Sequence, residues 1–140
     1  MYLIKTQAAF DSAHFLSGYN GKCRNIHGHR WVIEAQVYGE DLIECGEKRG
    51  MVMDFGDIKK ELRLIADSFD HALIYEKNSL RETTLSALRE EGFRMIELDF
   101  RPTAENLAKM FYDILSGKGL PVYQITVYET PENCAVYKEA

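Results

Sequence analysis

Two segments near the N-terminus alternate apolar and polar side chains, and this pattern predicts two strands. The first runs from Lys5 to Phe10 and the second from Trp31 to Gly39. Because side chains of a strand alternate between its two faces, the second has one continuous apolar face. That face carries Trp31, Ile33, Ala35 and Val37. Residues 16–24 contain two glycines and an asparagine, which indicate a loop joining the strands.

Three later segments have helical periodicity. The first extends from Asp57 to Phe69, with apolar residues at helical spacing. The second extends from Leu80 to Glu91; Ser79 and Glu82 form a capping-box pattern before it. The third follows Pro102, ends near Ser116 and has Thr103 as its expected N-cap.

Further strands are predicted around these helices, and together the elements indicate an α+β fold. They are expected at Met51–Phe55, Met95–Leu98, Val122–Thr130 and Cys134–Lys138. Strand pairs at both ends of the chain favour an antiparallel sheet with the helices on one face. A length of 140 residues without a linker or repeat predicts one domain, residues 1–140.

Composition and charge exclude several function classes. The 17 basic and 22 acidic residues leave a net charge of −5, which argues against nonspecific nucleic-acid binding. No apolar run approaches the roughly 18 residues of a membrane span, and the N-terminus has no signal-peptide pattern. The three cysteines are odd in number and widely spaced, so we expect no disulfide framework and a cytoplasmic location.

Three of the four histidines lie within sixteen residues and predict a metal site. His27 and His29 are two residues apart, so both imidazoles point to one face of a strand. His14 ends the preceding segment and supplies a third ligand if the two segments pair as a hairpin. Three neutral imidazoles leave one tetrahedral position open, as in catalytic Zn²⁺ sites. The alternative is a set of histidines that only form hydrogen bonds near a loop.

These residues resemble the 6-pyruvoyl-tetrahydropterin synthase family over nearly the whole chain. The family's residues recur in order and approximate spacing as His14, Cys23-x3-His27-Gly28-His29, Asp70-His71, Pro102-Thr103-Ala104-Glu105-Asn106 and Glu129. The three-residue gap after the cysteine is similar to that of the bacterial branch, the 6-carboxy-tetrahydropterin synthases. The segment from Glu76 to Phe100 departs from the family by its greater length, and we assign it no chemistry.

The resemblance implies a tunnelling fold (T-fold), in which an antiparallel sheet with two long helices closes into a barrel by oligomerisation. It also implies a homohexamer, a dimer of trimers, with active sites between subunits. His14, His27 and His29 match the family's zinc ligands, so Zn²⁺ is the expected cofactor. A pterin triphosphate is the expected partner.

The resemblance assigns a proton relay to Cys23, Asp70 and His71. A thiolate can abstract a proton, and a carboxylate can orient an imidazole. Two alternatives remain open. Cys23 could instead be a fourth ligand of a closed zinc site. Adjacent residues seldom form a side-chain hydrogen bond, so we expect Asp70 and His71 to act across a subunit boundary or through a turn.

Three further residues are candidate substrate contacts. Glu129 shares a strand face with apolar residues, where a carboxylate needs a partner, and the family anchors its pterin at this position. Glu105 and Thr103 resemble a second pterin-contacting group. The alternative for Glu105 is a favourable acidic residue in the first turn of a helix.

The resemblance implies zinc-dependent conversion of 7,8-dihydroneopterin triphosphate to 6-carboxy-5,6,7,8-tetrahydropterin. Acetaldehyde and triphosphate are released, in queuosine and deazapurine biosynthesis. One alternative is the pyruvoyl-forming reaction, in which triphosphate is eliminated without side-chain cleavage. Another is a non-catalytic, zinc-stabilised binding module with a closed site.

Overall fold

A long antiparallel hairpin forms the centre of the fold in a computed structural model that describes residues 1–140. Its strands are β1 (Tyr2–His14) and β2 (His27–Gly39), and His14 lies opposite His27 in their register. The strand predicted at Lys5–Phe10 is thus extended at both ends. Polar residues that end the apolar pattern of β1 continue to pair with β2, because ladder hydrogen bonds do not depend on side-chain polarity.

Four more strands complete a six-stranded mixed sheet. They are β3 (Ala72–Glu76), β4 (Met95–Leu98), β5 (Val122–Tyr128) and β6 (Cys134–Tyr137), and the sheet order is β4-β3-β1-β2-β5-β6. β1, β2, β5 and β6 are antiparallel, as expected. β3 pairs in parallel with β1, and β4 pairs in parallel with β3, so the sheet is mixed and the prediction of an antiparallel sheet was wrong for these two strands.

Two long helices pack on one face of the sheet, as predicted. These are α1 (Phe55–Phe69) and α3 (Ala104–Gly117), whose apolar sides form the main core with the inner faces of the strands. Each has a side-chain N-cap: the Asp54 carboxylate accepts from the Gly56 amide at 2.8 Å, and the Thr103 hydroxyl accepts from the Asn106 amide at 3.2 Å.

A third helix, α2 (Glu82–Glu90), lies on the opposite face, so the helices are not all on one side. Its Leu85 is buried against Tyr75 and Phe15 in a small second core. The predicted capping box does not form. The Ser79 hydroxyl instead donates to the Glu76 carbonyl at 2.5 Å in the preceding turn, and α2 begins without a side-chain cap.

Two strand predictions differ from the structure for local reasons. Residues 51–54 form no strand, because Asp54 already caps α1 and the segment has no sheet partner. The sequence pattern did not predict β3, since five residues directly after a helix carry no clear period.

No helix is long and apolar enough to cross a bilayer.

Candidate metal centre and active site

The hairpin register brings the three clustered histidines together at one end of the sheet. His14 ends β1, while His27 and His29 begin β2 two residues apart and face the same side. The imidazole centroids lie 4.6 Å apart for His14 and His27, 5.1 Å for His14 and His29, and 4.9 Å for His27 and His29. One potential ligand atom from each lies within 4.8 Å of the others.

The hydrogen bonds of this histidine cluster leave its inner nitrogens free. His14 Nδ1 donates to the Pro102 carbonyl at 2.8 Å, and His27 Nδ1 donates to the Asn25 carbonyl at 2.7 Å. The Nε2 atoms of all three histidines are buried and have no hydrogen-bond partner. Buried polar atoms without partners are costly, and carbonyl-oriented imidazoles are typical metal ligands. The cluster therefore fits Zn²⁺, with its Nε2 atoms as ligands.

Burial favours the neutral imidazoles of His14 and His29, and the neutral form is the one that binds a metal. His14 is only 1% exposed, and Trp31 packs edge-on against it at 4.9 Å between centroids. Desolvation lowers the pKa of His14 to about 4, although its bond to Pro102 opposes the shift. Desolvation also lowers the pKa of His29, against the raising effect of the Glu129 carboxylate.

The metal-free protein should lose stability as pH falls from about 6.5 towards 4. In this window the unfolded chain binds a proton at His14 that the folded chain does not, so unfolding is favoured. We expect a loss of about 3 kcal/mol from His14. Urea unfolding of chelator-treated protein measures it, with His14→Gln as the control that lacks this component. Equal pH dependence in the two proteins would contradict the assignment.

Cys23 lies apart from the histidine cluster within one chain. It is half-buried in a single 3-10 turn, Lys22–Arg24, and its carbonyl accepts from the Leu16 amide at 2.9 Å. Its thiol is not among the ligand atoms that lie within 4.8 Å of one another. This geometry does not favour the closed site of one cysteine and three histidines.

Asp70 and His71 contact each other directly, contrary to expectation. His71 Nδ1 lies 2.9 Å from Asp70 Oδ2. Adjacent residues can meet in this way because His71 has φ of +54°, which turns its side chain back. Asp70 Oδ1 also accepts from the Asp11 amide at 2.8 Å, and the two hydrogen bonds lower the pKa of Asp70. The His71 side chain is 79% exposed.

Glu129 follows β5 and approaches the histidine cluster. Its Oε1 lies 3.9 Å from His14 Nε2, and its side chain is 30% exposed. Ile125 and Val127 precede it on the same face and are fully buried in the core. The predicted shared face is confirmed for Ile125 and Val127, whereas a register shift in β5 puts Val122 rather than Tyr123 opposite Val37. The strand thus places a carboxylate where the apolar face meets the cluster.

Thr103 and Glu105 lie at the start of α3, directly after Pro102, whose carbonyl contacts His14. The Thr103 hydroxyl caps α3, and Glu105 is exposed in the first turn of that helix. The sequence also did not indicate the carbonyls of Pro102 and Asn25 that orient the histidines. Every residue has a carbonyl, so no residue type marks such a contact.

A groove of about 680 Å³ borders both His29 and His71. It runs along the sheet face opposite α1 and α3, and residues of the long segment after β3 form its outer wall. Phe93 from that segment and Ile26 from the loop before β2 expose apolar surface beside it. The groove therefore links the end of the hairpin that carries the histidine cluster to the Asp70–His71 pair.

Comparison with known sequences gives one consistent family. The family model for 6-pyruvoyl tetrahydropterin synthase matches residues 3–140. The 6-carboxy-5,6,7,8-tetrahydropterin synthase of Haemophilus influenzae is 35% identical over 142 residues, covering 99% of this chain and 100% of the relative. The protein of the same name from Aquifex aeolicus is 35% identical, covering 84% of this chain and 76% of the relative.

Solved structures share the fold. An uncharacterized protein from Wolinella succinogenes superposes with a TM-score of 0.82 at 19% identity, covering 99% of this chain and 98% of that one. The 6-pyruvoyl tetrahydropterin synthase of Caenorhabditis elegans has a TM-score of 0.68 at 26% identity, covering 99% and 96%. The T-fold predicted for the chain is thereby confirmed, and its closure into a barrel by oligomerisation stays a prediction. This chain belongs to the 6-pyruvoyl tetrahydropterin synthase family.

Proposed function

We propose that this chain converts 7,8-dihydroneopterin triphosphate to 6-carboxy-5,6,7,8-tetrahydropterin in queuosine biosynthesis, releasing acetaldehyde and triphosphate. The observation that carries the proposal is the cluster of three buried, unpartnered Nε2 atoms in a chain whose full-length relatives bear this enzyme's name. With the uptake of water the atoms balance, and no external oxidant or reductant is required.

In the proposed reaction, His14, His27 and His29 hold Zn²⁺ through their Nε2 atoms. When bound there, the ion supplies Lewis-acid polarisation of the substrate's side-chain oxygens. The carbonyls of Pro102 and Asn25 keep two imidazoles in the required tautomer. Trp31, which is fully buried and packs against His14, excludes water from the core side of the histidine cluster.

Cys23, Asp70 and His71 move protons between the substrate side chain and the pterin ring in this proposal. Asp70 orients the His71 imidazole through the 2.9 Å contact between Asp70 Oδ2 and His71 Nδ1. The Cys23 thiolate is the proposed general base, which takes a proton from the substrate side chain and can return it to the pterin ring.

Glu129 is the proposed pterin anchor. The amino-pyrimidinone edge of a pterin presents two N–H donors, and a carboxylate can accept both. Its position 3.9 Å from His14 Nε2 would hold the ring beside the metal and direct the side chain over the histidine cluster.

The proposed active unit is a homohexamer with sites shared between subunits. Two observations support this: the Cys23 thiol is not among the side-chain atoms that lie within 4.8 Å of one another around Asp70 and His71, and the His71 side chain is 79% exposed. A neighbouring subunit that places its thiol over His71 would complete the relay and bury the imidazole.

Product analysis tests the function. Zinc-loaded protein is incubated with 7,8-dihydroneopterin triphosphate, and the products are identified by mass. A carboxy-pterin with acetaldehyde is the expected result. A pyruvoyl-pterin with triphosphate and no acetaldehyde would instead assign the pyruvoyl-forming reaction. No turnover with one bound zinc per chain would assign a zinc-stabilised binding module.

A further inference from the structure

Arg94 binds the C-terminal end of α1 from the long segment between β3 and β4. Its Nη1 donates to the Asp70 carbonyl and its Nη2 to the Ser68 carbonyl, both at 2.6 Å. Both nitrogens also lie 3.3 Å from the Asp67 carbonyl. The last carbonyls of a helix have no partner within the helix, and a guanidinium satisfies them while complementing the negative end of the dipole. The Arg94 side chain thus caps the C-terminal end of α1.

The backbone that Arg94 holds is the turn that carries the proposed proton relay. His71 has φ of +54°, in the left-handed region, which is strained for a residue with a side chain. On the other side of this turn, the His71 amide donates to the Asp11 carbonyl at 2.6 Å, and the Asp11 amide donates to Asp70 Oδ1. The turn is therefore fixed between β1 and Arg94.

We propose that Arg94 is a positioning residue for the Asp70–His71 pair, and that the segment from Glu76 to Phe100 contributes to the active site through it. Without the guanidinium, three carbonyls beside the turn lose their partner, and the strained conformation of His71 is held only by the contacts of the turn with β1. The imidazole would then sample orientations away from Asp70. This inference rests on the proposed function, because it concerns the efficiency of the same relay.

Three variants of the zinc-loaded protein test the proposal. Arg94→Ala removes the contact, and Arg94→Lys keeps the charge without the planar fork that reaches several carbonyls. Arg89→Ala is the matched control: it removes a guanidinium from the same segment, where Arg89 contacts only Glu82 and the Tyr75 hydroxyl. The kcat, the KM, the zinc content and the amide resonances of Asp11 and His71 are measured for each.

We expect Arg94→Ala to lower kcat about tenfold while KM changes less than twofold, because misplacing a proton-transfer group slows the reaction step. Zinc content should stay at the wild-type level. Arg94→Lys should also have a lower kcat than the wild type. Added guanidinium should restore part of the activity of Arg94→Ala. Arg89→Ala should match the wild type.

A kcat within twofold of wild type in Arg94→Ala, or an equal loss in Arg89→Ala, would overturn the proposal. If Arg94→Ala does not fold, wild-type kcat and resonances in Arg94→Lys would overturn it. The resonances separate this proposal from the function: even if the wild type turns over no pterin, Asp11 and His71 should shift in the folded Arg94 variants and not in Arg89→Ala. Unshifted resonances would refute the positioning role.

Discussion

His29→Ala should lose its zinc and about a thousandfold of its turnover. The variant leaves only two imidazoles in the cluster. Two protein ligands bind Zn²⁺ more weakly than three, so dialysis should remove the ion. Loss of the Lewis acid removes about 4 kcal/mol of transition-state stabilisation. Metal content after dialysis and steady-state turnover of 7,8-dihydroneopterin triphosphate measure the two effects.

His71→Ala is the matched control for metal content, since it removes the only histidine outside the cluster. It should keep one zinc per chain, because His71 contacts Asp70 and not the three Nε2 atoms. A full equivalent of zinc in His29→Ala, or its loss in His71→Ala, would show that the cluster is not the metal site.

Cys23→Ala should abolish most turnover and leave the zinc in place. General acid–base groups contribute about 10²–10⁴ in rate, and we expect a loss of about a thousandfold. The three histidines hold the metal without the thiol, which lies outside their cluster. Turnover and metal content are again measured: turnover should fall, whereas metal content should stay at the wild-type level.

Cys45→Ala and Cys134→Ala control for thiol removal, because both side chains are exposed and neither thiol is among the clustered ligand atoms. They should retain activity and zinc. Loss of zinc together with activity in Cys23→Ala would instead identify Cys23 as a fourth ligand, and the closed site would then favour the binding module. Retained turnover would remove Cys23 from the relay.

Strong periodicity made part of the fold readable from the chain. The hairpin, α1, α3 and β5 have apolar faces long enough to distinguish a period of 2 from one of 3.6. β3 and the orientation of α2 could not be read in this way. A five-residue apolar run has no clear period, and the face on which a short helix packs depends on partners distant in sequence.

The sequence likewise predicted one part of the candidate site and not the other. The spacing of His27 and His29 already placed two imidazoles on one strand face, and pairing with β1 added His14. The Asp70–His71 contact depended on a positive φ at His71, which residue identity does not predict. The role of Arg94 could not be predicted from the sequence either. An arginine in a polar segment looks like any solvated surface charge until its carbonyl partners are known.

The sequence by itself determined the α+β class, the hairpin and the set of imidazoles that could hold a metal, because local periodicity encodes which side chains share a face. Only the tertiary structure decided which carbonyls orient those imidazoles, how Asp70 meets His71, and that a segment without recognisable chemistry supports the pair through Arg94. These are contacts between backbone groups and residues far apart in the chain, and no local pattern of side chains specifies them.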